Sequence, residues 1–314
     1  MKTRSVLTVT LNPAIDQTIY IDDFAISKVN RVRDQREDAG GKGVNVAGFL
    51  ADYGMHVTAT GFLGTGNSLI FSQYFSGKGI QDKFFRLKGH TRTGIKIADL
   101  KNRTTTNINF PGIGPGSGDM TDLYDLIREV GADYAWAVLA GSVPEGIPLD
   151  CYANLIKDLK NVGVKVALDA SGESYRQGLK EIPNLIKPNL AELEEYCGTT
   201  LKSKEQVISA GQKLLTEGIE TVIVSMGEEG ALFFEGEDVI HTIGEKVTVE
   251  STAGAGDAMV SGMIAGKIDQ KSFADCARLA TAFSVLAVTT VGAGIESMSD
   301  LHKIEKTIKV MGRN

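Results

Sequence analysis

A glycine-rich stretch in the last quarter of the chain has the residue types needed to hold a phosphoryl group and to remove a proton. It reads STAGAGDAMVSG from Ser251 to Gly262, with Gly254 and Gly256 where a loop turns into an apolar-periodic, helix-like segment. A helix start offers unpaired backbone N–H groups and a partial positive charge, which suit an anion. Asp257, in the first turn, could accept a proton from an attacking hydroxyl, or it could simply complement the helix dipole.

A second glycine-rich stretch, Gly40-Gly41-Lys42-Gly43-Val44-Asn45, also leads into a predicted helix. Its glycines allow a ligand to approach the backbone closely, Lys42 supplies a mobile cation, and Asn45 supplies both donors and an acceptor. The alternative is an ordinary glycine turn with a solvated lysine. Neither stretch is a Walker loop, and neither completes the dinucleotide-binding fingerprint.

Two further sets of polar residues could bind a sugar or a metal ion. Asp16 follows the first predicted strand, where α/β folds place ligand-binding groups, and it could accept hydrogen bonds from sugar hydroxyls or be a turn residue. Asn189 and Glu192 are three residues apart and therefore share a helix face. They could organise water around Mg²⁺, or they could form a helix capping box.

A glycine turn and one arginine complete the candidate binding groups. Ser225, Gly227 and Gly230 follow an apolar strand and could contact nucleotide phosphates or ribose, or they could form only a tight hairpin turn. Arg92 stands at the entry to a polar-alternating strand. It is a candidate phosphate clamp, with a solvated surface arginine as the alternative.

Strands and helices alternate along most of the chain, which predicts a mostly parallel sheet with helices on both faces. Two polar-alternating strand pairs, near residues 16–36 and 93–109, fit that sheet poorly. We predict that they form a small separate lid sheet, inserted at about residues 14–38 and 91–111 into one domain spanning residues 1–314. The chain is predicted to end in three helices: Ala258 to Lys267, Phe273 to Val288 and Asp300 to Val310.

Composition and net charge indicate which classes of partner and which cellular compartment to expect. A net charge of −6 over 314 residues argues against nucleic acid as the main partner. The three cysteines (Cys151, Cys197 and Cys276) have neither disulfide-framework nor zinc spacing, which favours a reducing cytoplasm. There is no signal-peptide pattern and no apolar run of roughly 18 residues, so no membrane association is expected. Exposed lid edges would favour a homodimer through the lid.

The motifs TLNPAID, GGKGVNVA, KPNLAELEE, SMGEEG and STAGAGDAMVSG, in this order, resemble those of the ribokinase-type sugar kinases, the PfkB family. The resemblance covers essentially the whole chain. It implies a ribokinase-like three-layer α/β/α sandwich with a small β-sheet lid. Within the family, the pattern is similar to the phosphosugar branch of 1-phosphofructokinases and tagatose-6-phosphate kinases. The segment TNINFPG, from Thr106 to Gly112, is most similar to the 1-phosphofructokinase version.

The resemblance also implies a role for each candidate residue. Asp257 would be the base, beside an anion hole formed by Gly254, Ala255 and Gly256. The sugar would contact Asp16, Gly40, Gly41 and Asn45, and its phosphate would contact Lys42 and Arg92. Glu192 and Asn189 would position Mg²⁺-ATP, with Lys187, Ser225, Gly227 and Gly230 nearby. Ser251 departs from the Asp common in the family, which puts a monovalent-cation site in doubt.

The implied reaction is transfer of the ATP γ-phosphoryl group to a ketohexose monophosphate, with fructose 1-phosphate giving the 1,6-bisphosphate. Tagatose 6-phosphate and fructose 6-phosphate are the alternative acceptors. A non-catalytic phosphosugar sensor is disfavoured because a sensor needs no base such as Asp257. A nucleoside kinase is disfavoured because Lys42 and Arg92 would have no acceptor phosphate to bind.

Overall fold

The computed structural model describes residues 4–102, 104–290 and 292–312, which form a large sheet, a small sheet and ten helices. The strands are β1 (Ser5–Thr10), β2 (Ala14–Ile21), β3 (Val32–Gly40), β4 (His56–Gly64), β5 (Gln81–Asp82), β6 (Phe85–Leu87), β7 (Arg92–Asp99), β8 (Thr104–Asn109), β9 (Trp136–Ala140), β10 (Lys165–Asp169), β11 (Leu185–Ile186), β12 (Thr221–Ser225), β13 (Ala231–Glu235), β14 (Asp238–Ile243) and β15 (Lys309–Gly312). The helices are α1 (Lys42–Asp52), α2 (Leu69–Lys78), α3 (Ser117–Val130), α4 (Cys151–Asn161), α5 (Gly172–Leu179), α6 (Leu190–Cys197), α7 (Lys204–Thr216), α8 (Ala255–Ile268), α9 (Phe273–Thr289) and α10 (Met298–Thr307).

The large sheet has the strand order β15-β14-β13-β12-β11-β10-β9-β1-β4-β5, and β6 also pairs with β4. Neighbouring strands from β12 to β5 are parallel, as is the β4–β6 pair. The last three strands, β13 to β15, extend the sheet in antiparallel fashion. The predicted mostly parallel sheet is therefore confirmed.

Helices cover both faces of this sheet because its central strands are apolar on both faces. Along β1, Val6 packs into a core shared with α1, α8 and α9, whereas Leu7 packs into a second core shared with α3, α4 and α7. Val138 and Leu139 on β9 divide between the two cores in the same way. Successive side chains of a strand point to opposite faces, so this division shows three layers, helix–sheet–helix.

The lid is a separate four-stranded sheet of order β3-β2-β7-β8, as predicted. The β2–β7 pair is parallel and the two outer pairs are antiparallel. The register places Asp16 between Asp38 of β3 and Gly94 of β7. Arg103, in the connection between β7 and β8 where the alternating pattern predicts a turn, lies outside the described residues.

The prediction of a final helix from Asp300 to Val310 is wrong at its end. Helix α10 runs only to Thr307, and β15 then pairs antiparallel with β14. Strand β14 would otherwise leave unpaired backbone groups at the sheet edge, and pairing with the chain terminus satisfies them. Helix α10 itself begins after Ser297, whose side chain accepts a hydrogen bond from the Asp300 N–H.

No helix within the described ranges is both long enough and apolar enough to cross a bilayer.

Candidate active site

Three polar residues lie where adjacent strands of the large sheet end. Asp169 is the last residue of β10, Lys187 follows β11, and Ser225 ends β12. These strands are parallel neighbours, so their carboxyl ends lie along one edge of the sheet. That edge is where open α/β sheets bind ligands.

Helix α8 brings its amino-terminal end to the same region. Gly254 caps it with φ 82°, a left-handed conformation that glycine adopts without steric cost. Ala258 N–H donates to Gly254 O at 2.8 Å, so three N–H groups precede this bond, those of Ala255, Gly256 and Asp257. A Cβ at Gly256 would lie 3.0 Å from Lys187 Nζ, which shows how closely that ammonium approaches the helix start. The combination is a positively polarised surface suited to an anion.

The carboxyl group of Asp257 is buried and has one strong donor. Only 5% of the residue is exposed, and Asn45 Nδ2 donates to its Oδ2 at 2.7 Å. Burial, together with the nearby charge of Asp169, raises the pKa of Asp257 to about 6, while Lys42, Asn45 and Lys187 oppose the rise. The carboxylate is thus ionised at neutral pH but more basic than an exposed aspartate, which suits a general base.

Asp169 is a site residue that sequence reasoning missed. It is 1% exposed, its Oδ1 accepts from Lys42 Nζ at 2.8 Å, and Lys187 Nζ lies 3.8 Å from the same oxygen. Its Oδ2 has no hydrogen-bond partner among the described residues. Burial opposes ionisation, yet Lys187 and Lys42 hold the pKa of Asp169 below its usual value. An acid at the end of the buried run KVALD could have been found by the strand-end argument that selected Asp16.

Lys42 lies between the two buried carboxylates. It follows Gly41, whose φ of 118° starts α1 with a backbone turn that favours glycine. Although burial would lower the pKa of Lys42, the charges of Asp169, Asp257 and Glu192 raise it above its usual value. Lys42 therefore stays a cation and links the helix start to the strand ends.

A cavity of about 80 Å³ separates the lid from the start of α8. Asp16, Asn45 and Gly254 line it, together with Lys96, a residue that sequence reasoning did not select. Lys96 Nζ lies 2.9 Å from Asp16 Oδ2. A Cβ at Gly40 would lie 2.7 Å from the same oxygen. The structure thus brings the predicted sugar-binding residues next to the predicted base.

Arg92 is not among the residues that line this cavity, although it lies on β7 opposite Ala14, two residues before Asp16. Its Nη2 donates to Asn12 O at 3.3 Å, and its Nε is buried without a hydrogen-bond partner among the described residues. Burial lowers the pKa of Arg92, and the charge of Asp16 opposes that shift. Lys42 Nζ donates to Asp169 Oδ1, so the two residues predicted to bind the acceptor phosphate have different partners in the protein.

The predicted nucleotide-side residues form two connected turns. Asn189 Oδ1 accepts from Glu192 N–H, and Glu192 Oε2 accepts from Asn189 N–H, both at 2.8 Å, so the pair is a capping box of α6. Asn189 also forms an isolated parallel bridge with Ser225. Beyond Ser225, Gly227 is exposed and Gly230, with φ 84°, accepts from Met226 N–H and closes the turn.

The family model for pfkB family carbohydrate kinases matches residues 9–300, and the chain belongs to this family. A 1-phosphofructokinase from Rhodobacter capsulatus is 40% identical over 309 residues, 98% of each chain. One from Vibrio cholerae is 37% identical over 98% of this chain and 97% of that protein. The tetrameric inhibited form of phosphofructokinase-2 from Escherichia coli is 25% identical over 96% of this chain and 98% of that one, with a TM-score of 0.87.

The comparisons confirm the ribokinase-like fold expected from the motifs, and they identify the chain as an ATP-dependent sugar kinase. ATP is therefore a substrate.

Proposed function

We propose that this kinase transfers the γ-phosphoryl group of ATP to fructose 1-phosphate and forms fructose 1,6-bisphosphate. The observation that carries the proposal is the contact between Asp257, at the glycine-lined start of α8, and Asn45, which lines the cavity under the lid. A base, an anion-binding helix start and the cavity under the lid therefore adjoin. The acceptor is inferred from the 1-phosphofructokinases that are 37–40% identical over nearly the full chain.

The proposed chemistry assigns the proton to Asp257. Its carboxylate accepts the proton of the acceptor hydroxyl as the hydroxyl oxygen attacks the γ-phosphorus and ADP leaves. The N–H groups of Ala255 and Gly256, preceded by Gly254, face the phosphoryl group as its charge redistributes. Lys187 and Lys42 add positive charge within the same buried region. Such fixed dipoles and charges act strongly where water is excluded.

The acceptor would bind between the lid and α8. Asp16 and Asn45 would hold its hydroxyls while Gly40 and Gly41 allow the backbone to approach, and Arg92 with its unpaired Nε would meet the acceptor phosphate. The cavity of about 80 Å³ is small beside typical ligand pockets of roughly 300–1,000 Å³. The lid must therefore move outward to admit the sugar and return to exclude water.

Mg²⁺ would accompany ATP at Glu192, with Asn189, Ser225, Gly227 and Gly230 around the nucleotide. The capping box uses only Oε2 of Glu192 and leaves Oε1 as a free ligand. No group of three or more acidic, histidine or cysteine side chains among the described residues could hold a metal alone. One carboxylate plus substrate phosphates and water fits Mg²⁺, which keeps much of its hydration. When bound, Mg²⁺ would neutralise phosphate charge.

The proposal extends to assembly and location. The lid and its loops expose large apolar side chains, namely Ile26, Val29, Val32, Leu100, Ile108 and Phe110. Covering them, and the open edges of β3 and β8, favours a homodimer through the lid.

We propose that the lid belongs to a single domain and that the protein is cytoplasmic, in keeping with its free cysteines.

A panel of sugar phosphates with ADP release as the readout tests the acceptor. Fructose 1-phosphate should give the highest kcat/KM, with fructose 6-phosphate and tagatose 6-phosphate well below it. A higher kcat/KM with fructose 6-phosphate or tagatose 6-phosphate would identify that sugar, and not fructose 1-phosphate, as the acceptor. Thermal stabilisation by a sugar phosphate with no ADP from any acceptor would favour the non-catalytic sensor.

A further inference from the structure

Lys96 is the one lysine among the residues lining the cavity under the lid, and it is held there by an ion pair. It lies on β7, beside the central lid strand β2 that carries Asp16. Its Nζ is 2.9 Å from Asp16 Oδ2, and the two side chains are 23% and 24% exposed. A half-buried pair of this kind is screened less by solvent than an exposed pair.

Two glycines confine the same carboxylate from either side. A Cβ at Gly40 would lie 2.7 Å from Asp16 Oδ2, and a Cβ at Gly94 would lie 3.1 Å from Asp16 Oδ1. The register of the lid explains this, because β3 and β7 flank β2 at Asp16. The carboxylate of Asp16 therefore occupies a slot that a larger residue at either position would close.

The two carboxylate oxygens of Asp16 have different partners. Lys96 engages Oδ2, whereas no group of the described residues hydrogen-bonds to Oδ1. An acceptor hydroxyl that donates to Oδ1 therefore meets an oxygen whose orientation is already set. Asp38 and Glu250 also line this cavity, so an unpaired Asp16 would add to the charge that repels a phosphorylated sugar.

We propose that Lys96 is a positioning residue for the acceptor, which acts through Asp16 by binding Oδ2 and leaving Oδ1 directed to a sugar hydroxyl. The proposal rests on the proposed function, because it takes the cavity under the lid as the phosphosugar site. It assigns Lys96 to acceptor binding and to neither ATP binding nor proton transfer.

The lid contains a matched control. Lys101 Nζ pairs with Asp23 at 2.6 Å, but these side chains are 63% and 56% exposed and do not line the cavity. Lys96→Met and Lys101→Met therefore remove the same charge and the same kind of ion pair from one small sheet. Only the first change alters Asp16.

Lys96→Met should raise the KM for fructose 1-phosphate roughly 10- to 100-fold, the loss expected for a charged hydrogen bond. The KM for ATP should stay within about twofold and kcat within about threefold, and Lys96→Arg should recover much of the loss. Lys101→Met should match the wild type. Thermal melting and gel filtration check that each variant keeps its fold and its assembly, and a calorimetric Kd for fructose 1-phosphate gives the comparison without turnover.

A double-mutant cycle separates action through Asp16 from direct contact with the acceptor. In an Asp16→Asn background, Lys96→Met should change the acceptor KM by less than about threefold. The proposal would be overturned if the KM increases of Asp16→Asn and Lys96→Met simply multiplied in the double variant. An unchanged acceptor KM in Lys96→Met, or an equal rise of that KM in Lys101→Met, would also overturn it. If the wild type turned over a different sugar phosphate in place of fructose 1-phosphate, only the identity of the acceptor would be wrong. The same double-mutant cycle would then be measured with that sugar.

Discussion

The two ends of the parallel strands in the large sheet carry similar charged residues in different arrangements. At the edge where β9, β10 and β12 begin, a cavity of about 900 Å³ is lined by Trp136, Lys165, Glu220, Glu235 and Lys267, among others. Each lysine there has its own carboxylate: Lys165 pairs with Glu220 at 2.9 Å, and Lys267 pairs with Glu235. Although burial opposes it, hydrogen bonding by Lys165 and Asn184 lowers the pKa of Glu220.

At the opposite edge, the charges are buried and shared unequally. Asp169 faces two lysines and keeps one unpaired oxygen, and Asp257 has an amide as its donor and a raised pKa. The lysines of the larger cavity are therefore neutralised by carboxylates one to one, whereas those of the smaller site are not. Unbalanced buried charge, rather than cavity size or the number of charged groups, distinguishes the candidate active site.

The strongest test of this contrast is Asp257→Asn. It should lower kcat roughly 10²- to 10⁴-fold because no carboxylate remains to accept the hydroxyl proton. The Kd for fructose 1-phosphate, measured by calorimetry, should change little. Glu235→Gln, which removes a carboxylate at the other edge, serves as the control. Near-normal kcat in Asp257→Asn would remove this residue from the role of base.

A smaller loss is expected from Asp169→Asn, since this residue positions the lysines and does not accept the proton. The amide keeps the shape but no longer attracts Lys42 and Lys187, so kcat should fall roughly 10- to 100-fold. Steady-state kinetics with saturating ATP and acceptor measures this loss. A kcat within twofold of the wild type would show that the lysines are positioned without Asp169.

The smallest effect is expected at the edge with the larger cavity. Lys165→Met breaks an exposed pair with Glu220 and should leave kcat and both KM values within twofold. The free energy of unfolding should fall by less than about 1 kcal/mol, as for most exposed ion pairs. Urea denaturation and the ADP assay measure the two quantities. A tenfold loss of kcat would show that the larger cavity contains a functional group. The two ends of the strands would then no longer differ in function.

The sequence predicted the large sheet and the lid because their strands follow different patterns, apolar on both faces in one and polar-alternating in the other. It also selected Asp257 and Asn45, which the structure places in contact although 212 residues separate them. Strand β15 could not be predicted locally, because it forms by pairing with β14, about 70 positions earlier in the chain.

Two site residues were not selected from the sequence. Asp169 has a local signal in its position at the end of the buried run KVALD, but only the fold brings Lys42 and Lys187 to it and so shows its importance. Lys96 is one polar residue in an alternating strand. Only the pairing of β2 with β7 shows that it faces Asp16.

The pH dependence of kcat/KM for fructose 1-phosphate, compared between the wild type and Asp257→Asn, tests the central claim most directly. Asp257 must be ionised to accept a proton and its pKa in the free enzyme is raised to about 6. The kcat/KM of the wild type, divided by that of Asp257→Asn, should therefore be constant above that pH and fall about tenfold per unit below it. The division removes any titration of the sugar phosphate, which both proteins share. A ratio that stays constant down to pH 5 would contradict a base with this pKa.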